Sequence, residues 1–229
     1  MFGNSLGVND RPVLESSSAH VAIALVLDIS YSMLGEKINS LNRAINDMIA
    51  QLKVDARLRD IIDLGIFVFG EKGRNPVCQG FRAISDCETI SLQANDDSTY
   101  VVDALNTAID RLRERTELYA KGGGAHKPWL ILITDGVFHD DYNMPGELDK
   151  VAERMKQREK EGKLHFFGLG VEGYKRSQLE KFTENPKRVI DIKAANFIEF
   201  FSWVGRSMAT ISRTAVGTQS TLEPLVFTV

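Results

Sequence analysis

The sequence predicts an α/β protein with one doubly wound, mostly parallel central sheet and helices on both faces. Three observations predict it. The best strands, residues 21–27, 61–69 and 129–133, are near-continuous apolar runs, as strands buried on both faces require. Segments with helical apolar spacing lie between them, so strand and helix alternate along the chain. The 229 residues, 43% of them hydrophobic, suffice to cover such a sheet within one domain.

Residues 1–18 are polar, with Pro12 and the run Ser16-Ser17-Ser18, and read as a flexible arm ordered only where it docks. The strand at 21–27 comes next. A helix at 36–54 follows, with Ile38, Leu41, Ile45, Met48, Ile49 and Leu52 on one face. Residues 61–69 give a second buried strand, closed by Gly70 and the polar turn GEKGRNP. Residues 77–84 suit a short antiparallel edge strand, weakened by Gly80.

Polar residues 95–99 lead into a helix at 100–118 that buries Val102, Leu105, Ala108, Ile109 and Leu112. Beyond the loop KGGGAHKP, residues 129–133 form a third buried strand ending at Thr134-Asp135-Gly136. A charged helix at 147–161, a strand at 164–169, a short helix at 177–182, a small strand at 188–190 and a last helix at 197–210 complete the series. The tail has no clear period. The expected organisation is an arm (1–18), one domain (19–212) and a tail (213–229).

Composition excludes several function classes. A net charge of -3 gives no sign of nucleic-acid or anionic-membrane binding, which favour strongly basic surfaces. No apolar run approaches the roughly 20 residues that span a bilayer. The opening MFGNSLGVNDRPVLE lacks the basic start and apolar middle of a signal peptide, so the expected location is cytoplasmic. Cys78 and Cys87 read as free thiols, with no second pair of metal ligands near them.

In a doubly wound sheet the ligand site lies beyond the carboxyl ends of the strands, where strand order switches. Asp28, Ser30 and Ser32 stand there as D-x-S-x-S after the first strand. Asp135 ends the strand in WLILITDG, and Thr99 lies in the loop entering a helix on the same side. Three loops thus bring two carboxylates and three hydroxyls to one sheet edge. Oxygen donors of this kind suit a hard divalent cation. Helix capping would explain one such loop but not three in register.

These residues resemble the metal-ion-dependent adhesion site of the von Willebrand factor A domain, a Rossmann-like fold, in the same order and spacing. Within that family, LDISYSMLGEKINSLNRAI, ITDGVFHDD and FIEFFSWVGRSM look most like the TerY-like, tellurite-resistance-associated subgroup. The resemblance implies that Ser30, Ser32 and Thr99 bind the ion directly, while Asp28 and Asp135 act directly or through water. It implies Mg²⁺, with Mn²⁺ or Ca²⁺ as alternatives, and a protein partner that supplies an Asp or Glu to an open position. The implied function is a non-catalytic binding module in a bacterial stress-response assembly. One departure is Asp97-Ser98 ahead of Thr99, where relatives often carry two glycines.

Other signals compete. GLGVEG, residues 168–173, spells G-x-G-x-x-G, but its first glycine falls inside a strand and its last lies short of the next helix. A phosphoester hydrolase using the same acids is the enzyme alternative; the second carboxylate expected two residues after Asp28 is replaced by Ser30. A scaffold with a degenerate metal site is the third reading. Asp97, Asp140 and Asp141 read as solvated loop acids, His139 as a surface residue and His165 as a sheet histidine.

Overall fold

The structure is a computed structural model that describes residues 10–13, 17–144, 146–217 and 225. The remaining parts of the expected arm and tail lie outside the described residues. Six strands, β1 (Val21–Asp28), β2 (Ile62–Phe69), β3 (Val77–Ala83), β4 (Trp129–Thr134), β5 (His165–Val171) and β6 (Val189–Ile192), form one sheet. Their order is β3-β2-β1-β4-β5-β6. All neighbours are parallel except β2 and β3.

The apolar runs are near-continuous because the two faces of the sheet meet different helices. On β1, Val21, Ile23, Leu25 and Leu27 join one core with α1 (Glu36–Val54) and α7 (Phe197–Ile211). Ala22, Ala24 and Val26 join the other core, with α3 (Val102–Tyr119) and α5 (Glu147–Lys160). Three short helices, α2 (Leu58–Ile61), α4 (Asp140–Asn143) and α6 (Arg176–Glu180), complete the set. Of these, α2 and α4 are too short to leave a helical period in the sequence.

Residues 10 and 11 are fastened to the β3 edge. Arg11 N–H donates to Phe81 O at 2.8 Å, and Phe81 N–H donates to Asp10 Oδ1 at 2.7 Å. Beneath them is a buried charged cluster. Arg115 of α3 donates Nε–H to Asp63 Oδ2 at 2.6 Å and Nη1–H to Arg11 O at 2.6 Å, and Tyr119 Oη–H donates to the same Asp63 oxygen at 2.5 Å. Burial, followed by the Asp63 charge, raises the Tyr119 hydroxyl well above its ordinary value.

His165 opens β5, edge-on to Trp129. Burial, with the positive charges of Lys127 and Arg188, holds its pKa down to about 3. The folded state therefore keeps it neutral, whereas the unfolded chain protonates it near pH 6.5. Its contribution to stability is complete above that value and is lost as pH falls from about 6.5 toward 3. Between pH 7 and 5 the wild type should lose on the order of 1 kcal/mol more than His165→Phe in urea titrations. Equal losses would contradict the assignment.

Candidate metal centre

The site is built where β1 and β4 lie side by side. The register sets Leu27 beside Ile133, so Asp28 and Thr134 end the two strands together. Thr134 Oγ1–H donates to Asp28 Oδ2 at 2.6 Å, and Ser30 N–H donates to Asp28 Oδ1 at 2.9 Å. Asp28 is fully buried. That burial pushes its pKa up to about 6; the bonds from Ser30 and Thr134 oppose the shift, and the Asp135 charge adds to it.

After Asp28 the chain makes a 3₁₀ turn, Tyr31–Met33, and enters α1 through Gly35, whose φ of 85° few other residues adopt. The turn sets the Ser30 and Ser32 hydroxyls 3.1 Å apart. Ser32 Oγ–H donates to Asp135 Oδ1 at 2.6 Å. Thr99 Oγ1 and Asp28 Oδ2 both border Gly136, where an added Cβ would lie 3.3 and 3.6 Å from them. All five residues predicted from the sequence therefore converge. They line or adjoin a cleft of about 390 Å³ whose walls include Tyr31, Asp96, His139 and Tyr142.

The donor set fits a hard cation. Hydroxyl and carboxylate oxygens are its preferred ligands, and the buried Asp28 carboxyl, pushed upward, lacks a cation among its own hydrogen-bond partners. The cation that the chain itself supplies is Lys37, from the first turn of α1. Its Nζ lies 2.5 Å from Asp135 Oδ2 and donates to Glu172 O at 3.1 Å.

The surrounding scaffold depends on residues that sequence reasoning passed over. Asn42 and Asn46 of α1 exchange amide hydrogen bonds with the backbone of Leu92 and Ile90, pinning the segment that runs to the Thr99 loop. Asp96, buried, is gripped by the Arg74 guanidinium and accepts from Glu71 N–H at 2.9 Å. Gly70 must lack a side chain, because a Cβ there would collide with the Asp96 carboxylate. None of these positions bears a local signal, since each partner lies many residues away.

Two expectations are corrected. Asp140 is not a solvated loop acid: it is fully buried and accepts from Val101 N–H at 2.7 Å, satisfying the exposed donors at the start of α3. His139 is part-buried at the cleft wall and tied down, not a free surface side chain: its Nδ1 accepts from Thr99 N–H at 2.9 Å, while its backbone N–H donates to Thr99 O at 3.0 Å. Asp97 is exposed, as expected, and the Asp141 side chain lies outside the described residues. The glycines of 168–173 are accounted for by packing. Gly168 is inside β5, and Gly173, with φ 107°, lets its turn approach the Asp135 carbonyl to a distance at which a Cβ would sit 2.9 Å from the oxygen.

Residues 22–202 match the von Willebrand factor type A domain family. The chain belongs to that family. Solved structures share the fold at low identity. The pilus adhesin SpaC from Lactobacillus rhamnosus GG superposes with a TM-score of 0.65 at 14% identity, over 86% of this chain and 31% of the adhesin. The vWF domain of the pilus tip protein Mfa5 from Porphyromonas gingivalis gives 0.60 at 10% identity, over 87% and 98% of the two chains. A von Willebrand factor type A protein from Catenulispora acidiphila gives 0.57 at 16% identity, over 84% and 43%. The chain thus spans about a third of the adhesin's length. No protein of curated function matches it. Among the described residues, no helix is long and apolar enough to cross a membrane.

Proposed function

We propose that this von Willebrand factor A domain is a metal-dependent protein-binding module whose partner presents an Asp or Glu side chain. The observation that carries the reading is the convergence of Ser30, Ser32 and Thr99, which line one open cleft, with the buried Asp28 and Asp135 that adjoin them. Ser30, Ser32 and Thr99 are the direct ligands, and Asp28 and Asp135 hold their hydroxyls or coordinated water in place. Mg²⁺ is the first choice by donor hardness, with Mn²⁺ or Ca²⁺ as alternatives. A mussel byssus matrix protein of the same fold, at a TM-score of 0.50 and 15% identity, is described with a zinc-occupied MIDAS motif, which supports a divalent ion. When bound, the ion supplies an electropositive centre that only partly charged hydroxyl ligands leave available to a partner's carboxylate.

The residues around the mouth suit protein contact. Tyr31 and Tyr142, which line the cleft, expose 59% and 64% of their surfaces, and amphipathic aromatics of this kind anchor interfaces. The hydrolase alternative would need a base facing the hydroxyls; His139, the histidine lining the cleft, spends Nδ1 on Thr99 N–H. The stress-response setting rests on the subgroup resemblance of the sequence, while a pilus adhesin and a pilus tip protein of the same fold support surface attachment as the other setting. Capture experiments should therefore use both soluble and cell-surface fractions. Proteins retained by wild type in Mg²⁺ but not by Thr99→Ala would identify the partner; identical retention would count against the site.

Lys37 competes with the ion for Asp135. Two unit charges a few ångströms apart interact by roughly 2–4 kcal/mol at an effective dielectric of 20, part of which water screens. Lys37→Met should therefore tighten metal binding about tenfold, or ~1.4 kcal/mol, in titration calorimetry. Weaker binding would show that Lys37 supports the site instead.

A further inference from the structure

At the opposite pole of the sheet, below the amino ends of β4 and β5, lies a second cleft of about 970 Å³. It sits at the upper end of the size range of small-molecule sites. Lys127 and Pro128 lead into β4, His165 opens β5, Arg188 precedes β6, and Arg158 stands in the last turn of α5. Five Lys or Arg side chains border the cleft, against one carboxylate, Glu117. That acid faces Arg113 at 3.9 Å, and Lys163 pairs with Glu161 at 2.8 Å.

The other three cations, Lys127, Arg158 and Arg188, have no carboxylate within ion-pair distance among the described residues. Arg158 Nε and Arg188 Nη1 are buried without a hydrogen-bond partner. Leaving such donors unmet is costly. Helix carbonyl ends do favour nearby cations, and α3 and α5 both end here. That attraction does not use the two buried N–H groups. The cations also crowd one another: Arg154 and Arg113 add to the burial that lowers Arg158, with Glu161 and Asp110 opposing them more weakly, and Lys127 and Arg188 add to the burial that lowers His165. An anion would relieve both the crowding and the unmet donors.

We propose that this cleft binds a small organic phosphate, its phosphate oxygens against Lys127, Arg158 and Arg188 and its apolar body against Ala125, Pro128 and Ile211. Guanidinium forks match phosphate oxygens, and a lysine adds a point charge. The apolar walls favour a ligand with a carbon framework over a bare inorganic anion. The site is separate from the metal centre and does not depend on it.

Titration of the full chain with ADP and with pyrophosphate, in low salt with EDTA present, tests the proposal. ADP should bind with a Kd of about 1 mM or tighter, and pyrophosphate more weakly. Lys127→Gln and Arg158→Gln should each weaken ADP by tenfold or more, with thermal melts to confirm folding. Lys163→Gln, at an exposed position, should weaken it severalfold and serves if either variant fails to fold. Lys150→Gln, an exposed lysine away from the cleft, should change nothing. Absence of ADP binding, an equal loss in Lys150→Gln, or pyrophosphate binding as tightly as ADP would overturn it.

Discussion

Asp135→Ala is expected to lower divalent-metal affinity by about ten- to a hundredfold while leaving the fold intact. Removal of a supporting partner of a ligand commonly costs ten- to a hundredfold, and Asp135 holds Ser32 directly. Loss of that one hydrogen bond costs only about 1 kcal/mol of stability. The Lys37 ammonium it releases is partly exposed and can turn to water. Calorimetric titration with Mg²⁺ and Mn²⁺, alongside thermal melts, separates the two effects. Unchanged metal affinity would remove Asp135 from the site, and a collapsed melt would show it to be structural.

The largest loss of stability is expected from Arg115→Met. The substitution removes the guanidinium from a fully buried Asp63 carboxylate whose Oδ1 already has no hydrogen-bond partner and whose Oδ2 would keep only the Tyr119 hydroxyl. It also frees the Arg11 carbonyl and so loosens residues 10 and 11 from the β3 edge. Breaking a buried pair from one side costs about 3–5 kcal/mol, or roughly 6–20 °C in Tm for a domain of this size. Adding Asp63→Asn should recover part of the loss, because the stranded charge disappears. A loss below about 1 kcal/mol, or no recovery in the double variant, would mean that the cluster is better hydrated than its burial indicates.

The fold was legible because a strand buried on both faces leaves a near-continuous apolar run, as Val21 to Leu27 does between the cores of α1 and α3. The convergence of the five candidate residues was legible because they sit in loops at the end of the sheet where the strands β1 and β4 finish together. The roles of Asp96, Asn42, Asn46 and Lys37 were not. Their partners lie on distant segments, and an acid or amide on a loop or helix face has the same local pattern whether it is solvated or structural. Asp140 was misread for the same reason: what buries it is the start of α3, 38 residues upstream of it at Val102. Residue spacing records periodicity within an element, not the side chains that join elements.

The proposed function makes partner binding depend on an ion held by Ser30, Ser32 and Thr99. The most direct measurement is the affinity of the captured partner for wild type in Mg²⁺, in EDTA, and in EDTA followed by excess Mg²⁺. The proposed function requires binding in Mg²⁺, loss in EDTA and recovery when the ion is restored. Undiminished binding in EDTA would contradict it.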